Sequence, residues 1–366
     1  MSIKRILTLS IAILLLHQIS GLNTQALAAG KEKPAKNIIL LIGDGMGTSQ
    51  VYAGMTANGG TLNLERFRIA GFSKTYSTEY VTDSGAGGTA LATGHKTKNG
   101  SIAVDPQGQP VKTILEWAEE NGKATGMATT CAMTHATPAS FIAHQAKRSD
   151  YELIAADFLK TDIEVFIGGG YDHFGKRKDG VDLIEQLRKK GYRIAQTIDE
   201  IKEIKSGPVA GLLYPVHPPK WSEGRGDLLT ESVIEAIRLL SADSDGFFLM
   251  VEGSQIDWAG HDNNAQQIAE EMIDFDRAVG AALDFAEKDG QTLVIVTADH
   301  ETGGLSLLDG DFETGELKGS FSTGDHSGVM VPVFSYGPQA ALFGGIQENT
   351  DIFEKMMKAF GFKKDQ

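Results

Sequence analysis

The chain has 366 residues, of which 41% are hydrophobic and 22% are charged. This composition is typical of a globular protein with a sizeable core, so wholesale disorder is excluded. The formal net charge of -14 repels phosphate backbones and anionic lipid headgroups, so nucleic acid is not expected as a scaffold-wide partner. The single cysteine, Cys131, excludes an intrachain disulfide and a cysteine-rich zinc module. Any metal site is therefore expected to rest on His, Asp and Glu side chains.

Residues 1–28 have the pattern of a secretory signal peptide. Lys4 and Arg5 precede an apolar run from Ile6 to Leu16, and Ala26-Leu27-Ala28 is a small-x-small cleavage pattern. The apolar run is shorter than the roughly 20 residues that span a bilayer, which makes an uncleaved membrane anchor the weaker alternative. We therefore predict an exported protein, periplasmic or secreted, with no membrane anchor after cleavage.

Residues 29–366 alternate short runs rich in Ile, Val and Leu with longer segments of helical periodicity. Strands are predicted at Asn37–Ile42, Thr125–Thr129, Glu164–Ile167, Val209–Leu213, Phe247–Val251, Thr292–Thr297 and Val331–Tyr336. Helices are predicted at Lys112–Asn121, Pro138–Ala146, Val181–Lys190, Leu228–Leu240 and Ala265–Lys288. Continuous apolar strands indicate a sheet buried on both faces, and helical crossovers indicate parallel pairing. We expect one α/β domain with three αβα layers and a mainly parallel central sheet, plus a small loop insertion at Asp309–Ser320.

Acidic residues follow three of the predicted strands. Asp44 and Glu252 each follow an apolar run, and Asp299 is followed directly by His300. One such aspartate is usually a helix cap or a turn former. Ligands gather at the carboxyl ends of parallel strands, however, and several converging carboxylates would raise one another's pKa unless a cation neutralised them. A metal cluster is therefore the favoured interpretation.

Further residues of metal-ligand type lie nearby in the sequence. Asp257 and His261 are four residues apart, so one helical turn could direct both side chains at one ion. His326 lies in the short segment Gly-Asp-His-Ser-Gly. Mixed nitrogen and oxygen ligands suit Zn²⁺, whereas an oxygen-rich position suits Mg²⁺. An ordinary core or surface role is favoured for four other histidines, His95, His144, His173 and His217.

Ser84 precedes a run of small residues and then a helical pattern, in the segment Val-Thr-Asp-Ser-Gly-Ala-Gly-Gly-Thr-Ala. The serine could simply cap a helix in a flexible turn. In a functional interpretation, small residues let a substrate approach the backbone, and a helix N-terminus attracts an anion. Serine needs a base or a metal to become nucleophilic, and no Gly-x-Ser-x-Gly elbow is present, so metal activation is favoured.

In combination, six separate segments resemble the alkaline phosphatase family, specifically a compact bacterial form. The resemblance extends from Asn37 to the C-terminus. The segments are Gly43–Gly47, Thr82–Ala86, Thr134–Ala139, Val251–Gly253 with Asp257 and His261, Thr297–Gly304, and Asp325–Ser327.

The resemblance implies a phosphate monoesterase in which Ser84 is transiently phosphorylated. Arg148 would bind the substrate phosphate and Asp83 would hold Arg148. Two Zn²⁺ ions and one Mg²⁺ ion are implied. The implied ligands are Asp257, His261 and His326 for the first zinc, Asp44, Asp299, His300 and the Ser84 oxygen for the second, and Asp44, Thr137 and Glu252 for magnesium, with His135 and Trp258 close to this third ion.

Two alternatives stay open on the sequence alone. One is a phosphodiesterase or sulfatase of the same superfamily, although Arg148 and a serine at position 84 argue against it. The other is an exported zinc- or phosphate-binding protein without turnover, which would need neither residue. The favoured partners are small-molecule phosphate monoesters, and a homodimer is a further expectation.

Overall fold

The computed structural model describes residues 33–363. The predicted signal peptide, residues 1–28, lies outside the described residues. Within the described part of the chain, no helix combines the length and the apolarity that crossing a membrane requires.

The described chain contains one ten-stranded sheet and two short two-stranded sheets. The strands are β1 (Asn37–Gly43), β2 (Ile69–Lys74), β3 (Ala124–Ala132), β4 (Val165–Gly169), β5 (Arg193–Ala195), β6 (Val209–Tyr214), β7 (Phe247–Gly253), β8 (Thr292–Thr297), β9 (Glu301–Thr302), β10 (Leu305–Gly310), β11 (Leu317–Phe321), β12 (His326–Ser327), β13 (Val331–Tyr336) and β14 (Gly345–Glu348). The order in the large sheet is β14-β2-β13-β8-β1-β7-β3-β4-β6-β5. Strand β13 is antiparallel to both of its neighbours, and the other pairs in this sheet are parallel. The predicted mainly parallel sheet is confirmed.

Helices cover both faces of the large sheet. They are α1 (Thr48–Ala57), α2 (Ser84–Thr93), α3 (Ile114–Glu120), α4 (Ala136–Ile142), α5 (Tyr151–Asp157), α6 (Tyr171–Gly175), α7 (Leu183–Lys189), α8 (Ile198–Glu203), α9 (Leu228–Leu240), α10 (Gln255–His261), α11 (Ala265–Asp289) and α12 (Asn349–Phe360). Successive side chains of a strand point to opposite faces, so Ile38 and Leu40 of β1 join one apolar core while Ile39 and Leu41 join the other. Two cores separated by one sheet give the three αβα layers expected.

All seven predicted strands are present, and differences lie mostly at their ends. Strand β7 continues through Glu252, which is therefore the penultimate residue of the strand. The helix predicted at Pro138–Ala146 is the shorter α4, because Ala143 is extended and the following Gln145 pairs with Ile102 in an isolated bridge. The expected loop at Asp309–Ser320 is wrong in detail, since strands β10 and β11 pair as a hairpin and only the residues between them form the turn.

The strand order brings the acidic strand ends together. Strand β1 lies between β7 and β8, and Ile42 of β1 is in register with both Glu252 and Thr297. Parallel strands end at the same edge of a sheet. Asp44 after β1, Glu252 in β7 and Asp299 after β8 therefore meet at one edge.

Candidate metal centre

The first cluster consists of Asp257, His261 and His326. Asp257 and His261 lie in α10, and their side chains are on one face of the helix, with Asp257 Oδ1 and His261 Nε2 3.4 Å apart. His326 Nε2 lies 3.5 Å from the same oxygen. Helix geometry thus brings i and i+4 side chains together, as the spacing predicted.

Both histidines of the first cluster have an orientation that suits a cation. His261 Nδ1 lies 2.8 Å from the Gly324 carbonyl oxygen, and His326 Nδ1 lies 2.8 Å from that of Thr82. A carbonyl only accepts, so each Nδ1 donates its proton, and in the neutral form of each ring Nε2 keeps a lone pair. These two Nε2 atoms face each other at 3.2 Å. Two facing lone pairs repel, and a bound cation would convert this repulsion into ligation.

The second cluster consists of Asp44, Asp299 and His300, all fully buried. His300 Nε2 lies 3.3 Å from Asp44 Oδ1 and 3.5 Å from Asp299 Oδ2. The Ser84 Oγ atom lies 3.2 Å from the same nitrogen. The structure therefore places the serine hydroxyl against the second cluster.

Thr302 joins the two clusters, and the sequence analysis did not identify it. Its hydroxyl donates to Asp257 Oδ1 at 2.5 Å and lies 3.2 Å from His300 Nδ1. Because the hydroxyl has one proton and gives it to Asp257, it accepts the His300 Nδ1 proton. The lone pair of His300 Nε2 then points at the second cluster.

Ser84 is the first residue of α2, and Asp83 fixes its position. Asp83 is the N-cap residue of α2, and its carboxylate accepts hydrogen bonds from the backbone N–H groups of Ala86 and Gly100, both at 2.9 Å. A methyl group at Gly87 would lie 2.9 Å from the carbonyl oxygen of Asp299. The small residues after the serine thus allow α2 to pack directly against the second cluster.

Arg148 is held by the same aspartate. Its Nη1 donates to Asp83 Oδ2 at 2.9 Å, and 30% of its side chain remains exposed. The guanidinium therefore keeps donors free for a second anion. Arg148 lies beyond the end of α4, not within a helix.

The third cluster lies beside Asp44, where Thr137 Oγ1 donates to Asp44 Oδ2 at 3.3 Å. Its metal-ligand atoms come from Glu252, His135 and, unexpectedly, Cys131, and these atoms lie within 4.8 Å of one another. Trp258 packs edge-on against His135, with ring centroids 6.0 Å apart. The two residues that we expected near a third ion thus lie together.

In the absence of a cation, burial disfavours charge on the groups of the second cluster. Burial, reinforced by Asp257 and Glu252, raises the pKa of Asp299 to about 7, and burial beside Asp299 raises that of Asp44. Burial and the nearby His326 lower the pKa of His300. Each group therefore favours its uncharged form, and a bound cation would reverse this preference.

Several buried polar atoms at these clusters have no hydrogen-bond partner. They are Asp44 Oδ1, Asp299 Oδ2, Glu252 Oε1 and His135 Nδ1. Buried polar groups are almost always hydrogen-bonded, so each of these four atoms needs a partner. The orphaned atoms are all metal-ligand types, and their positions fit bound cations.

The four histidines with an expected ordinary role fall into two groups. His144 is satisfied by the Ala103 carbonyl and Glu116, His95 by the Thr93 carbonyl, and His173 by the Thr134 hydroxyl. His217 lies near the third cluster, with its ring centroid 5.6 Å from that of His135. Its Nδ1 accepts a hydrogen bond from the Ala132 N–H. Its place beside the third cluster was not predicted.

Glu301 is a second buried residue that the sequence analysis did not single out. Its carboxylate accepts from Gln50 Nε2 at 2.6 Å and from the backbone N–H groups of Gly304 and Leu305. It also accepts from the Ser327 hydroxyl. Glu301 thereby secures the pairing of β9 with β12, which places His326 opposite Thr302.

Comparisons with known proteins show the family to which this chain belongs. The family model "Alkaline phosphatase" matches residues 35–318 and 316–362. Alkaline phosphatase 3 of Bacillus subtilis (strain 168) is 36% identical over 420 residues, covering 91% of this chain and 90% of that protein. The solved alkaline phosphatase of the Antarctic bacterium TAB5 is 42% identical with a TM-score of 0.86, covering 91% of this chain and 100% of that one. A TAB5 mutant with a histidine replaced by aspartate was solved with Mg bound in its M3 site, at the same identity, TM-score and coverage.

These relatives favour neither a phosphodiesterase or sulfatase nor a binding protein without turnover. The chain belongs to the alkaline phosphatase family, and it is a metal-binding hydrolase of phosphate monoesters.

Proposed function

We propose that Ser84 is the nucleophile of this hydrolase. Its Oγ would form a bond to phosphorus while the ester P–O bond breaks, and the alcohol would leave with a proton. Water would then cleave the phosphoserine, which releases inorganic phosphate and restores the hydroxyl. The observation that carries this assignment is the 3.2 Å contact between Ser84 Oγ and His300 Nε2 at the second cluster.

Two Zn²⁺ ions fit the first two clusters by donor type. Asp257, His261 and His326 would hold one ion, and Asp44, Asp299 and His300 would hold the other, close to the Ser84 oxygen. Mixed imidazole and carboxylate ligands are those that zinc prefers. When bound, these ions supply Lewis acidity that favours the ionised serine and stabilises charge on the leaving oxygen.

A third ion would be held by Asp44, Thr137 and Glu252, with His135 beside it. Mg²⁺ is the ion implied by the family resemblance, and the TAB5 mutant with Mg in its M3 site supports a magnesium position in this family. That mutant carries an aspartate in place of a histidine. A carboxylate suits Mg²⁺ better than an imidazole does.

Arg148 and Asp83 position the substrate in this proposal. The free guanidinium donors of Arg148 would bind two non-bridging phosphate oxygens, and a terminal monoester presents them without obstruction. Asp83 fixes Arg148 and also begins the helix that carries Ser84. One carboxylate therefore sets the distance between the phosphate-binding group and the nucleophile.

The surroundings of the enzyme are part of the proposal. The signal-peptide pattern in residues 1–28 supports export to the periplasm or the medium.

A homodimer would cover exposed aromatic side chains such as Tyr52 and Phe312, whose rings contact each other edge-on at 6.3 Å. Sedimentation equilibrium tests the dimer, because a mass equal to one chain would contradict it.

The experiment for the nucleophile is Ser84→Ala. We expect turnover of a phosphate monoester to fall by several orders of magnitude while the zinc content stays close to that of the parent, since the clusters keep their other ligands. Acid quenching of the parent enzyme with substrate should also yield a peptide phosphorylated at Ser84. The matched control is Ser232→Ala, a buried serine of α9 outside the clusters, which should retain full turnover. Retained turnover in Ser84→Ala would refute the assignment.

A further inference from the structure

Asn99 holds the segment that leads into α2. The residue lies in a turn after this helix, and the turn is closed by a hydrogen bond of 3.1 Å from the Ser101 N–H to the Lys98 carbonyl oxygen. Gly100, the next residue of the turn, has a φ of 83°, a conformation that favours glycine. The turn thus presents the Asn99 side chain to residues 77–83.

The Asn99 amide binds two backbone groups just before α2 at the same time. Its Nδ2 donates to the Val81 carbonyl oxygen at 2.9 Å, and its Oδ1 accepts from the Asp83 N–H at 3.3 Å. The Ser77 hydroxyl donates to the same Oδ1 at 2.7 Å, which orients the amide. An amide has a donor and an acceptor side by side, so it can bind a carbonyl and an N–H of one segment together. A carboxylate only accepts and cannot replace it.

The segment that Asn99 binds carries three groups of the proposed active site. Thr82 lies between the two bound residues, and its carbonyl oxygen accepts the His326 Nδ1 proton at 2.8 Å, which orients this ligand of the first cluster. Asp83 pairs with the phosphate-binding arginine through its carboxylate. Ser84 follows directly as the first residue of α2. Movement of this short segment would therefore disturb all three groups together.

The same turn also holds the backbone of Arg148. The Arg148 N–H donates to the Gly100 carbonyl oxygen at 2.7 Å, and the Gly100 N–H donates to the Asp83 carboxylate at 2.9 Å. The two residues Asn99 and Gly100 thus contact both the segment of the nucleophile and the segment of the phosphate-binding group.

We propose that Asn99 is a positioning residue of this hydrolase, whose amide fixes Ser84 relative to the first metal cluster and to the phosphate-binding arginine. This inference rests on the proposed function, because it takes Ser84 as the nucleophile. Asn99 acts through the backbone of residues 81–83 and not by contact with the reacting atoms. A displacement of about 1 Å can lower the rate of such a reaction about 100-fold.

The test is Asn99→Asp, which preserves the shape of the side chain and replaces the donor that faces Val81 with an acceptor. This acceptor repels the carbonyl oxygen, so the segment should move. At saturating Zn²⁺, the rate of Ser84 phosphorylation by a monoester, measured by rapid acid quench, should fall about 10- to 100-fold. Zinc affinity of the first cluster, measured in competition with a chelating dye, should fall at least about tenfold, because the carbonyl partner of His326 is displaced.

The matched control is Asn121→Asp. Asn121 also precedes a glycine, and its amide donates to the Trp117 carbonyl oxygen at 2.8 Å at the end of α3, outside the three clusters. This variant loses a similar hydrogen bond and should keep the parent phosphorylation rate and zinc affinity. A purely structural role for Asn99 would give the same result in Asn99→Asp, so an unchanged phosphorylation rate or an unchanged zinc affinity there would overturn the proposal.

Ser77→Ala decides the question if Asn99→Asp does not fold. It removes the hydrogen bond that orients the Asn99 amide and leaves the two backbone contacts, so both quantities should fall by about two- to tenfold. In that case, parent values of both quantities in Ser77→Ala would overturn the proposal. Zinc affinity is measured without turnover, so the failure of this inference is distinguishable from the failure of the Ser84 assignment, which Ser84→Ala tests.

Discussion

The three contacts of Asp83 allow stability and substrate binding to be separated. Its carboxylate accepts hydrogen bonds from the Ala86 N–H, the Gly100 N–H and the Arg148 guanidinium. Asp83→Ala removes all three contacts, whereas Asp83→Ser keeps a cap for Ala86 and loses Arg148. The two variants should therefore differ in stability but share one defect in substrate binding.

The magnitudes follow from the lost contacts. Loss of an N-cap costs about 1 kcal/mol, and an unpaired Gly100 N–H costs about 1 kcal/mol more, so Asp83→Ala should lose about 2 kcal/mol of unfolding free energy. Asp83→Ser should recover about half of this. In both variants, substrate must order an Arg148 side chain that was previously held, at a cost of about 1–2 kcal/mol. This corresponds to a fall in kcat/KM of about 5- to 30-fold, expressed mainly in KM.

Denaturant unfolding and steady-state kinetics on one monoester would measure both effects. Asp105 is a suitable control, because its carboxylate accepts two backbone N–H groups, those of Gln107 and Gln109, both at 2.8 Å, in a turn outside the three clusters. Asp105→Ala should lose stability with unchanged KM. If Asp83→Ser retains the parent KM, Arg148 does not depend on Asp83 and the reasoning fails.

Three further predictions concern the second and first clusters. Thr302→Val should weaken zinc binding about 10- to 100-fold, because Asp257 and His300 lose their common hydrogen-bond partner. Competition with a chelating dye would measure the zinc affinity, and an unchanged affinity would contradict the role of Thr302. Apparent zinc affinity should fall as the pH drops below about 7, because Asp299, whose metal-free pKa is raised to about 7, then binds a proton that zinc must displace. The affinity would be measured in competition with a pH-insensitive chelator. An affinity that stays the same between about pH 8 and about pH 5 would refute the prediction. Gly87→Ala should lower the free energy of unfolding by about 1–3 kcal/mol and reduce turnover, because the added methyl group would lie 2.9 Å from the Asp299 carbonyl oxygen. A melting temperature and a turnover equal to those of the parent would contradict this packing.

The fold was predictable where burial is complete. The central strands β1, β7 and β8 are buried along their full length, so they read as unbroken apolar runs. Strand β2 was missed because it lies near the sheet edge, where only two of its six residues, Gly71 and Ser73, are buried. Neither residue carries an apolar side chain. A run without buried hydrophobic side chains gives no strand pattern.

The first two clusters were predictable for a related reason. Asp44 and Asp299 follow buried strands, where the chain topology determines the position of the side chain. His326 is different, because β12 has only two residues and its position depends on pairing with β9. Its assignment came from the family resemblance. Glu301, which holds that pairing together, lies in the segment Thr297–Gly304, but the resemblance implies no role for it.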